Sequence, residues 1–73
     1  MNNQRVVEQK EDMLRKNLKR RGYLLRKSRI RNPQVPGFGG YMIVDMNTNF
    51  VVMGASPFTF SLTLDDVESF VRD

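Results

Sequence analysis

Apolar positions along this chain change their spacing twice, from helical to strand-like and back to helical. Residues 4–21 contain no Gly or Pro, and Val7, Leu14 and Leu18 recur at a spacing that places them on one narrow helix face. Gly22 follows as a natural C-terminal cap. The pattern predicts an amphipathic helix that packs by a thin apolar stripe and presents a basic back to solvent.

The middle of the chain has the short apolar runs that are typical of strands. Residues 23–29 begin with Tyr23 and Leu25 on one side, the expected core side, before the run becomes basic. Residues 41–45 and 50–53 flank an Asn-rich turn and read as a hairpin. Both hairpin strands are apolar on both faces, so we expect them to be central or to meet a partner with one face.

The C-terminal segment carries the clearest local signature. Thr63 and Asp66 fit a capping box, and Leu62 and Val67 fit the hydrophobic staple around it. A short extended piece is expected before this helix, at residues 59–60. The sequence therefore predicts an α+β fold in a single small domain, helix–three-stranded antiparallel sheet–helix (α-β-β-β-α), with both helices on one face of the sheet.

Length and composition exclude several classes of protein. At 73 residues the chain is expected to be one domain, residues 1–73, with a flexible N-terminus at residues 1–4. It contains no Cys and no His, which excludes disulfides, thiol or imidazole chemistry and the usual zinc sites. Its apolar runs are far shorter than the ~20 residues of a membrane-spanning helix. We expect a soluble cytoplasmic protein with no membrane partner.

The charge distribution is strongly uneven. Through Arg31 the chain carries eleven Lys or Arg against three acidic residues, whereas the remainder carries one Arg against five acidic residues. Nine of the twelve basic residues, hereafter the basic cluster, fall in a stretch that has no Asp or Glu: Arg15, Lys16, Lys19, Arg20, Arg21, Arg26, Lys27, Arg29 and Arg31. Such a field attracts polyanions or acidic protein surfaces.

The basic cluster has a functional and a structural interpretation. As a functional surface, the back of the first helix and the first strand would contact phosphates, and Tyr23, Phe38 and Tyr41 would stack on bases or sugars. As a structural feature, it would be a solvated helix face whose late charges stabilise the helix end. Nine basic residues in one stretch with no acidic interruption favour the functional interpretation.

Other residue patterns do not point to catalysis, metals or cofactors. The Gly-rich stretch 37–40 lacks the phosphate-cradle motif and precedes a strand, so it is interpreted as a flexible loop. Asp45, Asn47 and Asn49 resemble the start of a calcium-binding loop, but Phe50 stands where such loops need Gly. No nucleophile and base converge. We expect no enzyme, no catalytic residues, no metal and no cofactor.

Four stretches carry a resemblance to a known family: RRGYLLRKSR at residues 20–29, GGYMIVD at 39–45, NTN at 47–49 and LTLDDVE at 62–68. Together they make residues 18–71 similar to a family of short, uncharacterised bacterial proteins. Such reading frames often lie on phages, plasmids and other mobile elements. The resemblance implies a mobile-element context and brings no established activity.

These observations give one leading hypothesis and two alternatives. The leading hypothesis is a small non-enzymatic basic module that binds nucleic acid mainly through phosphate contacts from the basic cluster. The first alternative is a phage- or mobile-element-encoded inhibitor or regulator of the anti-CRISPR or anti-defence type. It would bind an acidic or nucleic-acid-binding surface of a host nucleic-acid-processing complex. The second is a homodimer formed through the hairpin face at residues 41–53.

Overall fold

The computed structural model describes residues 3–72. Its elements are α1 (Asn3–Arg20), β1 (Tyr23–Lys27), β2 (Tyr41–Asp45), β3 (Val51–Met53) and α2 (Leu64–Arg72). The predicted α+β class and the α-β-β-β-α order are confirmed. Residues 3 and 4, expected in a flexible N-terminus, belong to α1, whereas residues 1 and 2 of that expectation lie outside the described residues.

The three strands form one antiparallel sheet in the order β1-β2-β3, so β2 is the central strand. Leu25 of β1 pairs with Ile43 of β2, which places both side chains on one face of the sheet. Tyr23 and Tyr41, two residues away on their strands, point to the same face. Both helices pack against this face, as the sequence predicts.

The core lies between this sheet face and the two helices. Leu18 of α1, Ile43 of β2 and Val67 of α2 are each 0% exposed. The cluster of buried residues comprises Leu14, Leu18, Leu25, Tyr41, Ile43, Leu62, Val67 and Val71. Val7, predicted for the buried stripe of α1, is instead 42% exposed. Of the predicted stripe, only Leu14 and Leu18, in the second half of α1, are therefore buried.

The two helices are also joined by charge. Lys10 of α1 lies 3.1 Å from Glu68 and 3.2 Å from Asp65, both on α2. Hydrogen bonds to Glu68 and then to Asp65 raise the pKa of Lys10. This lysine, outside the basic cluster, is thus held by acidic partners within the protein.

The opposite face of the sheet is covered without a helix. Met42 and Val44 of β2 lie on it and are only 9% and 2% exposed. Arg26 stands across from Met42, yet its Nη2 donates a hydrogen bond to Asn49 Oδ1 at 3.4 Å, beyond the far end of β2. The Arg26 side chain therefore extends towards the turn that follows β2.

Apolar exposure in the hairpin is concentrated on β3, which is an edge strand. Phe50 is 74% exposed, and the three residues of β3 are 42–43% exposed. Of the two expected alternatives, a central strand or one that meets a partner with one face, β2 is central, whereas β3 is an edge strand and a partner for it stays a prediction. The hairpin surface open to a partner is therefore residues 50–53.

The ends of the helices follow their predicted caps. Gly22 has φ 91° and donates its N–H to the carbonyl oxygen of Lys19 at 3.1 Å. In the capping box, the Thr63 N–H donates to Asp66 Oδ2 at 2.9 Å and the Asp66 N–H donates to Thr63 Oγ1 at 3.2 Å. The extended piece expected at residues 59–60 is wrong, because these residues form a turn. Leu62 supplies the extended residue and pairs with Tyr41.

Candidate nucleic-acid interface

All nine residues of the basic cluster are exposed. They occupy the second half of α1, the turn after it, the end of β1 and the segment that follows β1. The α1–β1 turn folds these pieces back on each other. Arg15 Nη1 on α1 donates a hydrogen bond to the carbonyl oxygen of Leu25 on β1, at 2.6 Å. The fold therefore gathers a sequence run into a surface built from two elements.

An open cleft of about 880 Å³ lies within this surface, beside β1. Four of its lining residues are basic and three are apolar. They are Arg15, Arg26, Lys27 and Arg29, with Leu25, Ile30 and Phe60, and Ser28 completes the lining. The cleft thus combines positive charge with an apolar wall, which suits a ligand that carries both phosphate and an uncharged planar part.

Three members of the basic cluster are engaged within the protein. Arg15 Nη2 lies 3.5 Å and Lys27 Nζ lies 3.9 Å from Glu11 Oε2. Arg26 donates to Asn49, as described above. Within residues 3–72, the other six make no ion pair and donate no side-chain hydrogen bond: Lys16, Lys19, Arg20, Arg21, Arg29 and Arg31. Internal pairing therefore leaves most of the cluster's charge open to a ligand.

Glu11 is a buried carboxylate beside the cleft and is only 8% exposed. Its Oε2 is buried and accepts no hydrogen bond from the described residues, so its negative charge is balanced only by Arg15 and Lys27. Burial and then the charge of Glu11 raise the pKa of Tyr41. The i,i+4 spacing of Glu11 and Arg15 is visible in the sequence, and so is the placement of Glu11 on the same helix face as Leu14 and Leu18. Sequence reasoning nevertheless missed its burial.

Replacing Glu11 with Gln is expected to lower the pKa of Tyr41, because the substitution removes the negative charge that disfavours the tyrosinate. The titration is followed by tyrosinate absorbance in a Tyr23→Phe background, where Tyr41 is the only tyrosine. Glu8→Gln, at an exposed position on the same helix, is the matched control and should leave the titration unchanged. Identical tyrosinate titration curves for the Glu11→Gln and Glu8→Gln variants would show that the charge of Glu11 does not affect the pKa of Tyr41.

The three aromatic residues predicted to stack on bases have different surroundings. Tyr23 packs edge-to-face on Phe70, with ring centroids 5.4 Å apart, and Tyr41 is 4% exposed. Both rings belong to the core or its margin, so the stacking role expected for Tyr23 and Tyr41 does not fit their positions. Phe38 is 49% exposed and remains open to a ligand. Phe60, which sequence reasoning placed in a strand, lines the cleft instead.

The Gly-rich stretch 37–40 serves close packing rather than flexibility. A Cβ at Gly40 would overlap the carbonyl oxygen of Phe60, and a Cβ at Gly37 would overlap that of Thr59. Only glycine permits these backbones to approach so closely. Ser28, directly after β1, donates its N–H to the Gly40 carbonyl oxygen at 2.9 Å, which ties the stretch to the basic cleft.

Neither the described residues nor known proteins assign a chemistry to the chain. Residues 3–72 contain no group of three or more His, Cys, Asp or Glu that could hold a metal ion. No helix in the same range is both long and apolar enough to cross a membrane. Comparisons with protein-family models, with curated proteins and with solved structures found no match for this chain.

Proposed function

We propose that this protein is a non-enzymatic basic module that binds nucleic acid mainly through phosphate contacts. The observation that carries the proposal is the group of six exposed cations that make neither an ion pair nor a side-chain hydrogen bond in the described part of the chain. A surface of like charges repels itself, and a polyanion relieves that repulsion while it releases its own counterions.

The position of the acidic residues supports this proposal. Lys10 and Arg72, two basic residues outside the cluster, each form an ion pair with Glu68 of α2. The acidic residues of α2 therefore pair with basic residues that do not belong to the cluster. In the basic cluster, Glu11 is the acidic partner, and it contacts only Arg15 and Lys27. Among the described side chains, the unpaired cations therefore all belong to the basic cluster. Phosphate contacts from such a surface position a nucleic acid without reading its sequence.

Neutralising single members of the cluster tests the proposal. Lys16→Gln, Lys19→Gln and Arg29→Gln are each expected to weaken binding to every nucleic-acid probe alike. Each should also reduce the slope of log K against log salt by about one. The measurement is fluorescence anisotropy of a labelled oligonucleotide at several salt concentrations. Lys10→Gln is the matched control, because this lysine is held by Glu68 and Asp65. Unchanged affinity and slope in all three variants would contradict the proposal.

The exposed apolar residues 50–53 favour a second candidate function, a regulator or inhibitor that binds a host nucleic-acid-processing complex. Phe50 is 74% exposed, and the sequence has no charged residue between Asp45 and Asp65. A neutral apolar surface of this kind is typical of protein interfaces. Phe50→Asp separates the candidates. It should abolish capture of a protein partner, or dimerisation through this hairpin surface, and leave oligonucleotide binding intact.

A further inference from the structure

We propose that the ligand of the basic surface is single-stranded nucleic acid, with phosphates in the basic cleft and bases on a row of phenylalanines beside it. This inference rests on the proposed function and narrows its ligand to strands whose bases are unpaired. The residues that carry it are Phe38, Phe58 and Phe60.

Phe60 connects the basic cleft to a second cleft of about 410 Å³. The second cleft is lined mainly by apolar and backbone groups, among them Val7, Phe38, Phe58, Leu62 and Leu64. None of the described residues that line it is basic. A ligand that extends from one cleft into the other therefore passes from cations to aromatic rings at Phe60.

The three phenylalanines are unusually open for residues of their size. Phe38 is 49% and Phe58 is 39% exposed, and Phe60 is half-buried. None of them belongs to the cluster that forms the core. Burying such rings against a ligand is favourable, and every base offers a flat face on which an aromatic ring can stack.

The position of Phe60 is fixed before any ligand arrives. Its φ of 61° lies in the left-handed region, which a non-glycine residue adopts at a cost in free energy. The backbones of Gly37 and Gly40 lie directly against the carbonyl groups of Thr59 and Phe60 and hold the turn in place. A turn held in this way loses little backbone freedom on binding.

Charge sets the direction in which a strand would lie. Leu64, which lines the second cleft, is followed by Asp65, which is paired with Lys10, and by Asp66, whose carboxylate disfavours phosphates there. Arg26 and Arg29, which have no acidic partner in the described residues, line the first cleft and attract them. The phosphate backbone is therefore directed to the β1 side, and the bases are directed towards the phenylalanines.

Double-stranded nucleic acid cannot satisfy both clefts at once. In a duplex the base faces are stacked on each other, and only their edges are accessible in the grooves. Contact with Phe60 and Phe58 through a base face requires bases that have left the stack. The pair of clefts thus selects single strands by geometry, although either DNA or RNA carries the required groups.

The test compares three probes of equal length by fluorescence anisotropy: a single-stranded oligonucleotide, the same sugar-phosphate strand without bases, and a duplex. The wild-type protein is expected to bind the intact single strand about tenfold or more tightly than the abasic strand. Phe60→Leu and Phe58→Leu should remove this preference and leave the affinity for the abasic strand unchanged. Phe50→Leu, at an exposed ring outside both clefts, is the matched control and should retain the preference.

The outcomes separate the inference from the function on which it rests. Equal affinities for all three probes would overturn the inference and leave the phosphate-binding function standing. Binding to none of them would overturn both. A preference that survives in both cleft variants would also overturn the inference. A thermal melt of each variant establishes folding, and if Phe60→Leu is unfolded, Phe38→Leu at a more exposed ring takes its place.

Discussion

Leu18→Ala is expected to unfold much of the protein at moderate temperature. Leu18 is 0% exposed and packs in the core cluster formed by both helices and the sheet. Truncating a fully buried leucine costs about 2–5 kcal/mol, since it removes apolar contacts and leaves a cavity. A domain of 73 residues has few other contacts to compensate. The midpoint of the thermal melt should fall by roughly 10–30 °C.

Met13→Ala supplies the comparison for this result. Met13 lies on the same helix but is 59% exposed, so its truncation should change the melting temperature only slightly. Both variants place the same residue in the same helix, and their difference therefore reports burial rather than helix propensity. A Leu18→Ala protein that melts together with Met13→Ala would show that α1 does not pack as described.

The largest effect on binding is expected from reversing Lys19 and Arg20 to Glu together. Both are exposed on α1 and make no ion pair within residues 3–72. The reversal removes two phosphate contacts and adds two repulsive charges, which should weaken nucleic-acid binding about 100-fold or more at moderate salt. Melting should change little, because neither side chain contributes to the core. If a protein is the true ligand, the same reversal should slow association with that protein.

A pair of variants with equal net charge distinguishes local contact from overall charge. Lys19→Gln with Arg20→Gln lowers the net charge by the same amount as Ala55→Glu with Ser69→Glu, at exposed positions outside the cluster. Only the first pair should reduce the salt slope. Equal losses from both pairs would assign the effect to overall charge, and a cluster variant that fails to fold would assign the basic cluster to a structural role.

The fold was predictable because its elements are coded locally. The capping box at Thr63 and Asp66, the Gly22 cap and the strand 41–45 all depend on residues that are neighbours in sequence. The exposure of β3 was not predictable in this way. Residues 50–53 are at least as apolar as β2, and only the strand order decides that β2 is central and β3 is an edge strand.

The positive charge of the candidate site could be predicted from the sequence, whereas the cleft within it could not. The basic cluster follows from composition, and its exposure agrees with that expectation. The cleft required the long-range contact of Gly37 and Gly40 with Thr59 and Phe60, which links loops about twenty residues apart. No local pattern reveals such a contact, and Phe60 was therefore overlooked while Tyr41, which is buried, was selected.

The same glycine contact couples two loops that are separated by the whole hairpin. The 59–60 turn lies so close to Gly37 and Gly40 that a side chain at either position would overlap it. Directly beside this contact, Tyr41 and Leu62 exchange backbone hydrogen bonds of 2.9 and 3.2 Å. Neither loop can shift without opening the other, so they should unfold as one cooperative unit. Their lengths are consequently constrained together. An insertion or deletion in one loop would be tolerated in evolution only when the other loop changes with it.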